Sequence, residues 1–459
     1  MDSSWKRGEL LCLLSYALVF YIVIIRRSLQ LSSDHYNKLY GLRHGWIANR
    51  LNDVSDAQWR NFRGNIPILA AVFGIFTLVA NLLRASYHLT SRGMSTVWLL
   101  LSVIFAQKKY FFLALWGFNI SVLLCNRLYE GYSFSTFGQH WAYLDKYRGT
   151  FRWHICFNFV ILRMISFGCD YHWANRGSHF DKKERSLHKD KFSFVTYLCY
   201  LLYAPLYIAG PIISFNAFAS QLDVPQSNYS VKQVALYGIR WLFCLFLMEL
   251  MTHLFYYNAF AISGLWKQLS PMDIFIVGYG VLNFMWLKFL LIWRYFRFWS
   301  LLSGIEVPEN MPKCINNCYN LESFWKNWHA SYNKWLVRYM YIPLGGSKRK
   351  LINVWVLVAF GLRKLLSWAW LTCLFFIPEL IMKSAANSFQ VESMFGKFMF
   401  REFSAVAGAI TITCLMVANL VGYVIGPSGI NWLSSRFLKK EGLPTLAGMF
   451  VTFYVGTKG

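Results

Sequence analysis

The sequence predicts an all-α polytopic membrane protein, and three observations carry that prediction. Of its 459 residues, 56% are hydrophobic and only 15% are charged. A soluble domain carries roughly 45–50% apolar and 25% charged residues, so both departures point towards lipid. The apolar residues gather into long runs. Basic residues lie mostly between those runs, as in Arg26-Arg27, Lys182-Lys183, Lys348-Arg349-Lys350 and Lys439-Lys440.

In chain order the runs are Leu10–Ile25, Ile66–Leu83, Tyr110–Leu124, Phe151–Phe167, Phe192–Phe215, Val234–Phe255, Phe275–Trp293, Leu365–Ile381, Val406–Ile425 and Leu443–Val455. Several approach the roughly 20 residues that cross a hydrocarbon core; the shorter ones are tilted, re-entrant or interfacial. Val97–Ala106 is a further half-length run, stopped by Gln107-Lys108-Lys109. A helix is expected for each, because lipid offers backbone polar groups no outside partner. Residues 1–459 therefore read as one membrane domain of about ten transmembrane helices. At the N-terminus, Lys6-Arg7 precedes the first run and no small-residue cleavage site follows Ile25. That run reads as a first anchor, not a removed signal peptide.

The net charge of +25 would raise nucleic acid as a partner in a soluble protein. Here the loops explain it, since cytoplasmic loops of membrane proteins are rich in Lys and Arg. Anionic headgroups, or a phosphate-bearing substrate such as coenzyme A, are the ligands such loops would attract. No nucleic-acid partner is expected, and no oligomeric state can be read. The ten Cys are scattered singly, and Cys314 and Cys318 have no second pair or nearby His to complete a zinc site. His172, His179 and His188 in the loop 170–191 are not spaced as metal ligands either. No metal is expected.

Some ionisable residues fall inside apolar runs, among them Arg163, Glu249, His253 and Lys288. Such groups are expensive in lipid and face the bundle interior or a water-filled cavity. Glu249 and His253 stand one helical turn apart, so they either satisfy each other or line a polar chamber.

Leu321–Gly346 reads LESFWKNWHASYNKWLVRYMYIPLGG. On a continuous helix, Trp325, His329, Asn333 and Leu336 share one face, with Trp328, Trp335 and Tyr339 close beside it. Pro343 and Gly345-Gly346 then end that helix. An interfacial helix with headgroup-level aromatics explains the Trp and Tyr but does not require a His.

FWKNWHASYNKWLVRYMYIPLGG resembles the signature of the membrane-bound O-acyltransferase (MBOAT) family. LKFLLIWRYFRFWSLLSGIEVPENMPKCINNCYN and YLLYAPLYIAGPIISFNAF are similar to its Gup and hedgehog-acyltransferase-like branch. The similarity runs from about Arg152 to Tyr454 and is most specific over 287–346. It implies a helical bundle around a central chamber where acyl transfer takes place, in a protein of the endoplasmic reticulum. Acyl-CoA would be the co-substrate, with no other cofactor. A hydroxyl of a lipid, GPI-anchor or glycerol-type molecule would accept the acyl group. It also implies that His329 is the motif's first polar residue and the catalytic candidate, pointing into the bundle near Trp325 and Asn333. Trp325, Asn333 and Arg338 are then candidates for the lining of the substrate chamber.

The family's other key residue is a His in a Trp-His pair within the apolar helix after Pro-Leu-Gly-Gly. This chain has no His after His329. The run Leu351–Leu362 is also only 12 residues before Arg363-Lys364 interrupts it. That is well short of a full span, as if about ten residues were missing near 360–363. The C-terminal Gly-Thr-Lys-Gly, after a barely long enough last run, reads as a second irregularity. Two functions follow: an acyltransferase weakened by this loss, or a non-catalytic membrane protein such as a pseudoenzyme regulator or a component of polyol transport.

Overall fold

The computed structural model describes residues 3–86, 135, 138–146, 153–176, 187, 191–318, 321–349, 394–426 and 429–458. The runs expected at 97–106, 110–124, 351–362 and 365–381 lie outside the described residues. The described chain begins with α1 (Ser3–His35), an antiparallel hairpin of β1 (Leu42–His44) and β2 (Leu51–Asp53), and α2 (Ala57–Ser86). Then come α3 (Trp153–Arg176), α4 (Phe194–Leu202), α5 (Ala204–Tyr207), α6 (Phe215–Asp223) and α7 (Val231–Leu254). Next are α8 (Tyr257–Ser263), α9 (Pro271–Leu302), α10 (Leu321–Asn327) and α11 (Ala330–Leu336). The last are α12 (Met394–Asn419), α13 (Ile430–Phe437) and α14 (Leu443–Lys458).

Among the described residues, five helices are long and apolar enough to cross a membrane: α1, α2, α7, α9 and α12. They differ in what their apolar surface meets. In α9, 67% of the most apolar stretch is buried inside the protein, against 6% in α1. An apolar helix that the protein leaves uncovered must be covered by lipid. α9 is therefore the core helix, and α1 presents Leu10, Leu11, Leu14, Leu18 and Val19 outward. Local sequence sets the starts of these helices. Ser270 caps α9 by accepting the Asp273 N–H at 3.2 Å, with Pro271 at the first position, where a missing N–H does no harm. Ser230 and Gln233 form a reciprocal capping box on α7.

Away from the candidate site, the structure departs from the sequence reading in two places. Residues 192–215 do not form one helix: α4 stops at Leu202, α5 is a single turn, and 208–214 continues without a helix to α6. Pro205 and Pro211 each remove an N–H donor, and Gly210 weakens the helix between them. The buried Arg163 guanidinium donates to the carbonyls of Tyr200, Leu201 (2.7 Å) and Leu206 at this break. The second departure is the hairpin, which lies within 26–65, a stretch that reads as a hydrophilic loop. It folds over α7 because Gly45 lies against the His253 ring. A Cβ at Gly45 would fall 2.4 Å from His253 Cδ2, so a side chain there would push the hairpin off.

Lys288, Glu249 and His253 each have partners. Lys288 Nζ lies 2.9 Å from Asp56, whose other oxygen accepts the Trp59 N–H and caps α2. Glu249 receives Arg63 and, at 3.0 Å, Trp46 Nε1. His253 Nδ1 meets the backbone carbonyl of Glu249 at 2.7 Å, so that nitrogen carries the proton. The Glu249 carboxylate is thus held chiefly by Arg63 and Trp46, while His253 bonds to the Glu249 backbone one turn back.

Candidate active site

His329 does not sit in the middle of a helix. α10 ends at Asn327 and α11 begins at Ala330. His329 lies between them at φ 52° and ψ 49°, the left-handed region. His is among the few non-glycine residues that visit it, and holding one there costs about 1–3 kcal/mol, a strain that persists only where the surroundings impose it. The single face shared by 325, 329, 333 and 336 is therefore broken at its second residue.

The surroundings do impose it. Asn310, fully buried, accepts the Ala330 N–H on its backbone carbonyl and the Ser331 N–H on Oδ1, each at 3.0 Å. Ser331 Oγ in turn accepts the Ile212 N–H at 2.9 Å, which ties the turn to the non-helical segment before α6. The Trp328 N–H closes α10 onto Phe324, and the Asn333 N–H opens α11 from the His329 carbonyl.

Around the imidazole the walls are aromatic. The Trp293 ring of α9 meets it edge-on with centroids 4.4 Å apart, and Tyr332 does so at 5.4 Å. Trp328, the preceding residue, packs against Phe324 and Phe289. His329 Nδ1 is enclosed and has no hydrogen-bond partner among the described residues. Burial among apolar rings disfavours the charged form and pushes its pKa down to about 4. At neutral pH the ring is uncharged and can accept a proton or a hydrogen bond.

The other sequence-derived candidates have separate positions. Asn333 stands one turn into α11 and hydrogen-bonds through its N–H to His329. Arg338 reaches away to α3, 3.0 Å from the wholly buried Asp170 and over the Trp173 ring. Asp170 also accepts from the Tyr339 hydroxyl and the Asn216 N–H. Arg338 thus closes a buried ion pair that clamps α3 to the end of α11. The Trp325 side chain lies outside the described residues. Three residues of the site escaped the sequence reading: Asn310, Trp293 and Asp170. Asn310 could have been noticed only as the polar end of Pro308-Glu309-Asn310, since no periodicity marks it. Among the described residues, no group of three His, Cys, Asp or Glu could hold a metal ion.

The chain belongs to the MBOAT, membrane-bound O-acyltransferase, family, whose model matches residues 101–421. Two similar relatives are yeast proteins. Membrane-bound O-acyltransferase gup1 of Schizosaccharomyces pombe is 31% identical over 470 residues, covering 90% of this chain and 80% of its own. Membrane-bound O-acyltransferase GUP1 of Saccharomyces cerevisiae is 30% identical over 517 residues, covering 99% and 91%. Protein-cysteine N-palmitoyltransferase HHAT of Mus musculus matches a shorter stretch, 30% identical over 166 residues, 35% of this chain and 33% of its own.

Proposed function

We propose that this chain is an acyl-CoA-dependent O-acyltransferase of the endoplasmic reticulum membrane, acting on a hydroxyl of a lipid, GPI-anchor or glycerol-type acceptor. We further propose that it works far more slowly than full-length relatives. The observation that carries the first part is His329, held neutral by aromatic burial in a strained turn of the segment shared with the family. In the reaction the acceptor oxygen attacks the thioester carbon, the hydroxyl proton leaves, and coenzyme A departs as its thiol. A neutral imidazole can accept that hydrogen bond and orient the hydroxyl. Its low basicity makes it a poor sole base, because efficient proton transfer needs a pKa near the working pH.

Slowness follows from the absent Trp-His. Losing a proton-transfer group lowers rates about 10²–10⁴-fold, before any loss of substrate positioning. The alignment with the Saccharomyces cerevisiae relative runs over 517 positions against the 459 residues here, which fits a chain shortened within the family.

The second reading, a non-catalytic regulator or polyol-transport component, is favoured by the lack of any His after His329. One assay separates the two. Purified protein is given labelled acyl-CoA and a panel of lipid, glycerol and cysteine-peptide acceptors, beside a version with the Trp-His segment restored. The restored version should transfer at least about 100-fold faster. Equal transfer by both, at equal expression, would show that the second His is dispensable. No transfer by either would leave the non-catalytic reading.

A further inference from the structure

We infer that Asn310 is a further catalytic residue of this site, its Nδ2–H donating to the acyl carbonyl oxygen of the bound thioester. The inference rests on the acyl-transfer reading above.

Asn310 is fully buried, yet its Nδ2 has no hydrogen-bond partner among the described residues. Leaving such a donor dry is costly, and folded proteins rarely tolerate it without a use. The amide cannot be turned over to relieve it, because only the oxygen can accept the Ser331 N–H at 3.0 Å. The backbone carbonyl of the same residue is fixed by Ala330. Both oxygens of Asn310 are therefore committed to holding the His329 turn, which leaves one rigid donor beside it.

The second enclosed, partnerless atom of this turn is His329 Nδ1. One residue thus offers a fixed N–H, and the turn that it holds offers a neutral ring. Acyl transfer asks for both. When the acceptor oxygen bonds to the thioester carbon, the carbonyl π electrons move onto the oxygen as an oxyanion. When that intermediate collapses, the C–S bond breaks and the thiolate takes up the proton that the hydroxyl gave up. A preorganised N–H at the oxyanion is worth most in a dry site.

The test reads the carbonyl directly and needs no turnover. Acyl-CoA carrying ¹³C at the thioester carbonyl is bound to the detergent-solubilised chain, and its C=O stretch is measured by isotope-edited infrared difference spectroscopy. A hydrogen-bonded carbonyl absorbs at lower frequency than the free thioester. We expect that downshift in the native chain and its loss in Asn310→Asp, which keeps the acceptor for Ser331 and removes the donor. Asn310→Leu replaces it if the first variant does not fold, as judged by thermal unfolding. Acyl-CoA bound without a downshift, or a downshift that survives the substitution, overturns the inference alone. A native chain that binds no acyl-CoA overturns the acyl-transfer reading and this inference together.

Discussion

His329 couples the site to pH. Its imidazole titrates near 6.5 in the unfolded chain and about 4 in the fold, driven down by burial. Between those values the unfolded chain holds the extra proton, so stability rises with pH across that window. The contribution is complete above pH 6.5 and is lost as pH falls through 4. His329→Gln should therefore flatten the pH dependence of the unfolding temperature between pH 6.5 and 4, measured in detergent; an unchanged slope would place the titration elsewhere. Arg338 makes a different demand. Arg338→Met strands the wholly buried Asp170 carboxylate and should destabilise by about 3–5 kcal/mol. Adding Asp170→Asn should recover much of that, which a thermal-shift comparison of single and double variants reads. Sequence reasoning reached His329 through the resemblance of its motif to the MBOAT family, since interfacial aromatics alone do not require a His. It missed Asn310 and Asp170 because their significance lies in partners 21 and 168 residues away.

Helices were legible where one run met one helix, as in α1, α7, α9 and α12. The run 192–215 was misread because hydropathy does not register where Pro205, Gly210 and Pro211 interrupt hydrogen bonding. The His329 turn was misread for a subtler reason: every residue from 321 to 336 favours helix or tolerates it, and the break is imposed by Asn310 from outside the segment. The join between α2 and α9 allows a quantitative test. Asp56→Ala removes a helix cap and also leaves the Lys288 ammonium, 3% exposed, without its anion. The cap alone is worth about 1 kcal/mol, whereas a buried charge without its partner costs about 3–5. In a Lys288→Met background, Asp56→Ala should therefore cost only about 1 kcal/mol, the cap term. Equal costs in both backgrounds, read from unfolding temperatures, would mean that the ion pair contributes nothing.

As a whole molecule the chain should behave as an integral membrane protein. The outward Leu and Val of α1 are largely exposed among the described residues, so alkaline carbonate should leave the chain in the membrane fraction and detergent should release it. Composition sufficed for that much, because 56% hydrophobic residues cannot be hidden in a soluble fold of this charge content. The chemistry was legible only through the motif at 321–346, and the site's donors needed the fold.

Arg163 has a consequence for inheritance. Its guanidinium serves the freed carbonyls of Tyr200, Leu201 and Leu206 as bulk solvent would, a fixed substitute for water carried on a side chain. A planar fork with five donors can serve separate carbonyls at once, whereas an ammonium is a compact point charge on a flexible stem. The irregular backbone at 203–214 and the arginine on α3 are therefore bound to a common fate: a lineage that loses Arg163, even to lysine, must also rebuild that backbone as helix.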